Sequence, residues 1–199
     1  LVAAVFALLA LTPLSDASDD PAVDEIRKNI DGYEMATRTA ADVPAESLPL
    51  VQKRLAELEG QVTKGEHILS ESDMAGMNER YSSAIKTYCT PAVAESVGTD
   101  IGSVVDETLL AAAAQPVGLV IEVQRKVIAV EVQKKSGSEA FAWAYFWAGD
   151  VYATGYGAQN WEILEYRLLS DGETWRIDGC RSLGLLYPSD GSVEFGPFS

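Results

Sequence analysis

Glu162 is the residue of this chain whose type and position best suit acid–base chemistry. It has the same strand parity as Leu164 and Tyr166, so the alternation of side chains along a β-strand directs it to an apolar face. Burial there would make the carboxylate more basic and suit it to take a proton from a substrate. Tyr145 or Tyr166 would then donate a hydrogen bond to the developing oxyanion. The strand pairing described next also places Glu162 opposite Arg181, and a cross-strand ion pair is the interpretation that we favour.

The strands that carry these residues are predicted to form a β-hairpin around Asp171-Gly172. An Asp-Gly dipeptide between two alternating runs is typical of a two-residue hairpin turn. One face of the hairpin is then apolar, and the other carries Glu165, Arg167, Arg176 and Asp178. Counting outward from the turn predicts these pairs: Leu168 with Trp175, Arg167 with Arg176, Tyr166 with Ile177, Leu164 with Gly179, Ile163 with Cys180, Glu162 with Arg181, and Trp161 with Ser182.

A row of aromatic residues on the preceding strand is a candidate lining for a ligand pocket. The row alternates with small residues, and aromatic residues at a spacing of two more often fill a core under helices. The alanines on the other face are compatible with close approach by helices. The candidate pocket residues, with two from the hairpin, are Phe141, Trp143, Tyr145, Trp147, Tyr166 and Trp175.

Other reactive groups are few. His67 is the only histidine, it lies off the apolar stripe of its segment, and no spacing of ligands suits zinc, so we expect neither a metal nor a cofactor. Cys89 and Cys180 could form one disulfide in an exported chain or remain two buried thiols. Cys89 ends a predicted helix, and it is a candidate to cover the apolar end of the hairpin's charged face, where Cys180 lies.

Charge and the N-terminus limit the partners and the location. The net charge of −15 over 199 residues disfavours nucleic acid as a partner, because it repels phosphate. An apolar run from Leu1 to Leu11, followed by Ser15-Asp16-Ala17, predicts a signal peptide over residues 1–17, cleaved after Ala17. Retention of this run as an N-terminal membrane anchor is the alternative. We therefore expect a secreted, periplasmic or otherwise extracytoplasmic protein.

Helical spacing precedes strand spacing along the chain. Residues 18–71 predict a linker and an antiparallel helical hairpin, or, as the alternative, a coiled-coil homodimer. A third helix from Ser72-Asp73, a short turn of helix and a last helix ending at Ala114 follow, and strands with a bulge near Arg125-Lys126 begin at Gln115. The hairpin stripes are Val23, Ile26, Ile30, Tyr33 and Thr37, then Leu48, Val51, Leu55, Leu58, Val62 and Leu69.

Residues 72–199 resemble the NTF2-like superfamily, the SnoaL-like or cystatin-type cone fold, and in particular its exported bacterial members of unassigned function. The resemblance implies an α+β domain with helices packed on a strongly bent antiparallel sheet. It is a likeness of pattern and order, without a strict motif. The residues that carry it are Met77-Asn78-Glu79-Arg80-Tyr81 with Tyr88-Cys89-Thr90-Pro91, and the closing strands Glu165-Tyr166-Arg167-Leu168-Leu169 and Thr174-Trp175-Arg176-Ile177-Asp178.

Similarity to this family implies several functions, since its members include isomerases, dehydratases, polyketide cyclases and non-catalytic domains. We expect a non-catalytic binding or assembly module, whose partner is a protein or a small apolar ligand. The first alternative is an isomerase- or dehydratase-type enzyme that uses Glu162 and a tyrosine. The second is a carrier for an apolar ligand in the cone. A closed, side-chain-filled cone would exclude both alternatives, and an open one with an inward carboxylate would favour the enzyme.

Overall fold

Helices and strands occupy separate halves of the chain in the computed structural model, which describes residues 20–58, 60–63, 65–114, 120–152, 157–186 and 193–195. The predicted signal segment and most of the segment after residue 186 lie outside these residues. The fold is α+β, as predicted. The described elements are α1 (Pro21–Ala41), α2 (Leu48–Glu57), α3 (Glu71–Tyr88), α4 (Pro91–Ser96), α5 (Ile101–Ala114), β1 (Val120–Ser136), β2 (Glu139–Tyr152), β3 (Gly157–Ser170), β4 (Trp175–Leu186) and β5 (Val193–Phe195).

Local sequence explains where the helices begin. The Asp20 carboxylate accepts the N–H of Ala22 at 3.0 Å ahead of α1, and Pro21 occupies the first turn, where its missing N–H costs nothing. Ser70 in the same way accepts the N–H of Asp73 at 3.1 Å ahead of α3. The third and fifth helices are therefore close to their predicted bounds. Val104, predicted on the inner side of α5, is instead 56% exposed.

The four long strands and the short β5 form one antiparallel sheet in the order β1-β2-β3-β4-β5. A two-residue turn at Gly137-Ser138 joins β1 to β2, and Gly137 has the positive φ of 57° that such turns need. The predicted change of parity in β1 is confirmed. The bulge that causes it lies at Ile128, between Val127 and Ala129, rather than at Arg125-Lys126.

The register predicted for the β3–β4 hairpin is wrong, although the face assigned to its apolar residues is right. Residues 171–174 form a four-residue loop, because the Asp171 carboxylate accepts the N–H groups of Glu173 and Thr174 at 2.9 and 2.8 Å. The pairing is thereby displaced by two residues, which preserves the face on which each side chain lies. A bulge near Asp178 then adds one more residue. The observed pairs are Ser170 with Trp175, Leu168 with Ile177, Arg167 with Gly179, Tyr166 with Cys180, Glu165 with Arg181, Leu164 with Ser182, and Trp161 with Leu186.

Helix α1 lies in the hollow of the bent sheet, where it contacts both β1 and β4. Glu25 and Asn29, one helical turn apart, bond both backbone groups of Trp175. The Glu25 Oε1 atom accepts its N–H at 3.1 Å, and Asn29 Nδ2 donates to its carbonyl oxygen at 2.6 Å. The residues of this first core are Ile26, Ile30, Ile85, Cys89, Ala140, Ala142, Ala144, Phe146, Leu164, Tyr166, Leu168, Trp175 and Ile177.

The predicted hairpin of the first two helices is not confirmed. Helix α1 packs mainly on α3, and α2 packs on α5. The second helix ends at Glu57, because a loop with positive φ at Gly60 and Gly65 follows, so the predicted continuation to Leu69 is wrong. Burial of the stripe residues is nevertheless correct, since a second core is formed by Val51, Leu58, Ile68, Leu69, Met77 and Ala113.

We expect Trp175→Ala to lower the free energy of unfolding by about 3 to 5 kcal/mol, because Trp175 is buried in the first core. A urea melt of the variant measures this loss. A loss under about 1 kcal/mol would show that the side chain does not fill the core. The exposed neighbour Glu173→Ala is the control and should change stability little.

A buried carboxylate fixes the loop between α2 and α3. Asp106 of α5 accepts the N–H groups of Ile68 and Leu69 at 2.8 and 2.7 Å, and its other oxygen lies 2.7 Å from His67 Nδ1. Asp106→Ala should therefore cost about 2 to 5 kcal/mol, because two buried N–H groups lose their acceptor. The adjacent exposed Glu107→Ala should be nearly neutral in the same melt, and equal losses in the two variants would contradict this role.

Candidate functional site

The aromatic row of β2 lies on the outer face of the sheet, away from the helices. Ala140, Ala142 and Ala144 are fully buried beneath the helices, whereas Phe141, Trp143, Tyr145 and Trp147 are half-buried on the opposite side. Their prediction as the lining of a cone under the helices is therefore wrong. Small alanines admit the helices close to the sheet, and this leaves the large rings outside. Only Tyr166 and Trp175 of the predicted pocket residues belong to the inner face.

Three of these rings are held in place on the outer face. The Trp143 indole N–H donates to Glu165 Oε2 at 3.0 Å, and the Tyr145 hydroxyl donates to Glu131 at 3.2 Å. Trp147 lies over Gly149, where a Cβ would come within 2.7 Å of its ring. Burial and the neighbouring carboxylate raise the pKa of Tyr145 to about 12, so its hydroxyl stays protonated at neutral pH.

The structure separates the groups of the predicted acid–base site. Glu162 pairs with Phe146 of β2 and thus lies on the inner face, as its parity predicts, but Tyr145 lies on the outer face. The predicted ion pair of Glu162 with Arg181 is wrong, because the register places Glu165 opposite Arg181, with Arg181 Nε 2.7 Å from Glu165 Oε1. Arg167, predicted opposite Arg176, instead bonds Glu139 and Asp178 at 2.8 and 2.9 Å.

A cleft of about 860 Å³ opens between α1, α3, α5 and the first two strands. Helix α1 forms one wall, because its face turned away from the first core looks into the gap left beside the bent sheet. The walls are largely apolar, with polar groups at intervals, which is the usual composition of a small-molecule site. The apolar residues that line it are Met35, Val43, Val105, Leu109, Val127 and Phe146.

Tyrosines and a glutamate lie together where the cleft meets the first core. The buried Tyr166 hydroxyl donates to the Glu34 carboxylate, and the rings of Tyr33 and Tyr166 meet edge to face with centroids 6.4 Å apart. Tyr33 and Tyr81 line the cleft. Burial raises the pKa of both phenols, and the nearby Cys89 and Glu34 add to this effect. The two hydroxyls therefore remain neutral hydrogen-bonding groups well above neutral pH.

Charges of both signs surround the cleft. Asp31 and Asp42 of the α1 region and Lys126 of β1 line it beside Arg38. Partial desolvation raises the pKa of the exposed Asp31 carboxyl. Neither Asp31 nor Lys126 has a hydrogen-bond or ion-pair partner within the described part of the chain. The cleft thus offers an acid on one wall and a base on another, with phenols and apolar surface between them.

The structure does not contain the predicted disulfide. Cys89 is a buried thiol and Cys180 an exposed one. Cys89 pairs with Ile177 at the edge of β4, and Cys180 lies three residues, about 10 Å, further along that strand, whereas a disulfide needs Cα atoms within about 7 Å. Cys180 lies opposite Tyr166, so its predicted position on the charged face, opposite Ile163, is also wrong. Burial raises the pKa of the Cys89 thiol to about 11, which leaves it protonated and unreactive.

The cleft residues Tyr33, Glu34 and Tyr81 are not candidates from sequence alone. Tyr33 and Tyr81 are visible only as members of helical stripes, which also describe ordinary core residues, and Glu34 carries no local signal. His67 is exposed, as predicted, but its contact with Asp106 has no sequence signature. Among the described residues no group of three His, Cys, Asp or Glu side chains is arranged to hold a metal ion.

Comparison with known proteins identifies no relative of this chain. No family model, no curated protein and no solved structure matches it. Within the described residues, none of the helices is both long and apolar enough to cross a bilayer.

Proposed function

We propose that this protein is a non-catalytic binding module that holds a small amphipathic molecule in the cleft beside α1. The observation that carries the proposal is the lining of the cleft, in which apolar walls surround two neutral phenols. Apolar surface would hold the body of the molecule, and Tyr33 and Tyr81 would bond its polar end. The volume of about 860 Å³ accommodates a molecule of drug size.

A binding role accounts for the chemistry of the cleft better than the acid–base alternative. An enzyme of the isomerase type needs a carboxylate that takes a proton and a donor within hydrogen-bond reach of the same substrate. Glu162 and Tyr145 lie on opposite faces of the sheet, and the Tyr166 hydroxyl already donates to Glu34. The raised pKa of Tyr33 and Tyr81 suits hydrogen bonding to a polar group.

Export and the family remain parts of the proposal. The apolar run at residues 1–11 supports export to an extracytoplasmic compartment, where the acidic surface would favour solubility. Helices packed in a bent antiparallel sheet support an NTF2-like cone fold. In that interpretation the cleft is the mouth of the cone, with α1 as its first helix.

We expect the wild-type protein to bind the fluorescent amphiphile anilinonaphthalene sulfonate saturably, and Thr108→Trp to weaken this binding about tenfold, or about 1.4 kcal/mol. Thr108 is exposed on α5 and lines the cleft, so an indole there fills the space without disturbing the core. Fluorescence titration at equal protein concentration measures both dissociation constants.

Val104→Trp is the matched control for this experiment. Val104 is one helical turn from Thr108, is equally accessible and does not line the cleft, so its variant should bind the probe as the wild type does. Absence of saturable binding in the wild type, or an equal effect of the two variants, would overturn the proposal.

The protonation of the cleft phenols predicts a loss of stability at alkaline pH. Because the pKa of Tyr33 and Tyr81 is raised in the folded protein, the unfolded chain releases these protons first, and stability falls as the pH rises above about 10. We expect Tyr33→Phe to show a shallower fall than the wild type in urea melts over this range. Parallel curves for the two proteins would show that Tyr33 is not desolvated.

A further inference from the structure

Strand β1 lies at one edge of the sheet and pairs only with β2 among the described strands. An edge strand presents N–H and C=O groups that can pair with a strand of another molecule. Ile128, a large apolar residue, is 46% exposed on this strand. A hollow of about 300 Å³ lined by Arg27, Asp31 and residues 127–131 separates the segment from α1, so the helix does not cover it.

The bulge determines which backbone groups face outward. Hydrogen-bonding direction alternates from pair to pair in an antiparallel ladder. Val127 and Val130 are two pairs apart, because Ile128 between them has no partner in β2, so both direct their N–H and C=O groups to the same side. The Val130 carbonyl oxygen accepts a bond from Arg27 Nε at 3.3 Å, which indicates that this side is the free edge. That oxygen has a second lone pair for another donor.

The segment from Lys126 to Glu131 is complementary to an antiparallel copy of itself. With a two-fold axis between residues 128 and 129, Lys126 meets Glu131, Val127 meets Val130 and Ile128 meets the small Ala129. Lys126 and Glu131 both lie on the outer face of the sheet, and Val127 and Val130 both lie on the inner face. Each pair of side chains would therefore lie on one side of a continuous sheet, as pairing requires.

The charge of this region also favours self-association. The chain carries a net charge of −15, so two copies repel each other over most of their surfaces. Residues 126–136 contain three lysines and one glutamate, and this edge is therefore a place where two acidic molecules can approach. A lysine-bearing, bulged edge can also serve to prevent pairing. Opposite charges at matched positions distinguish the two roles, since a protective edge would place like charges opposite one another.

We propose that β1 is an interface between two copies of this chain, paired antiparallel through residues 126–131 into one continuous sheet. The occupant of the edge is a second copy rather than a foreign peptide, because the segment complements its own charges. The backbone groups of Val127 and Val130 bond across the axis, and two ion pairs of Lys126 with Glu131 set the register. This dimer is independent of ligand binding in the cleft.

Sedimentation velocity of the ligand-free protein over a range of concentrations tests the proposal. We expect a monomer–dimer equilibrium for the wild type, and an increase of about tenfold in the dissociation constant for Lys126→Glu and for Glu131→Lys, because each places like charges opposite one another. The double variant Lys126→Glu/Glu131→Lys reverses both charges and should restore the wild-type dissociation constant.

Lys134→Glu makes the same change of charge on an exposed residue outside the paired segment, and it should leave the dissociation constant nearly unchanged. Circular dichroism verifies that each variant is folded. A wild type that stays monomeric at its highest soluble concentration would overturn the proposal. So would a double variant no better than the single ones, since the ion pairs would then not lie across the interface.

Discussion

Burial of one face of α1 in the hollow of the bent sheet is the constraint on which the rest of the structure depends. Ile26 and Ile30 are completely buried there, and Glu25 and Asn29 bond both backbone groups of Trp175 at the start of β4. At the other edge Arg27 bonds the carbonyl oxygen of Val130 in β1. One helix thus links the two long strands farthest apart in the sheet and maintains its curvature.

This arrangement decides what lies on each side of the sheet. The helices need a smooth, close surface, and the alanines of β2 provide it, so the aromatic residues between them are directed outward. The same helix then borders the cleft with Tyr33 and Glu34, while Tyr166 joins the cleft to the first core through its bond to Glu34. The candidate site is therefore a consequence of how α1 is held.

Sequence periodicity predicts the local features well. It identifies the buried stripe of α1, the helix that contains Met77 and Ile85, and the apolar face shared by Leu168, Trp175 and Ile177. It fails where a single side chain or a distant contact decides. The Asp171 carboxylate lengthens the hairpin loop and displaces the register, and glycines 60 and 65 end a stripe that continues in burial but not in helix. The cleft could not be predicted, because it exists only where α1 crosses strands more than ninety residues away in sequence.

Native-state hydrogen exchange tests the central role of α1 most directly. If α1 is held in the sheet as described, the amides around Ile26 and Ile30 exchange only through global unfolding, with the same free energy as the amides of Tyr166 and Leu168 in β3. If α1 is an appendage instead, its amides exchange through a separate opening of lower free energy while β3 stays protected. That second result would contradict the account.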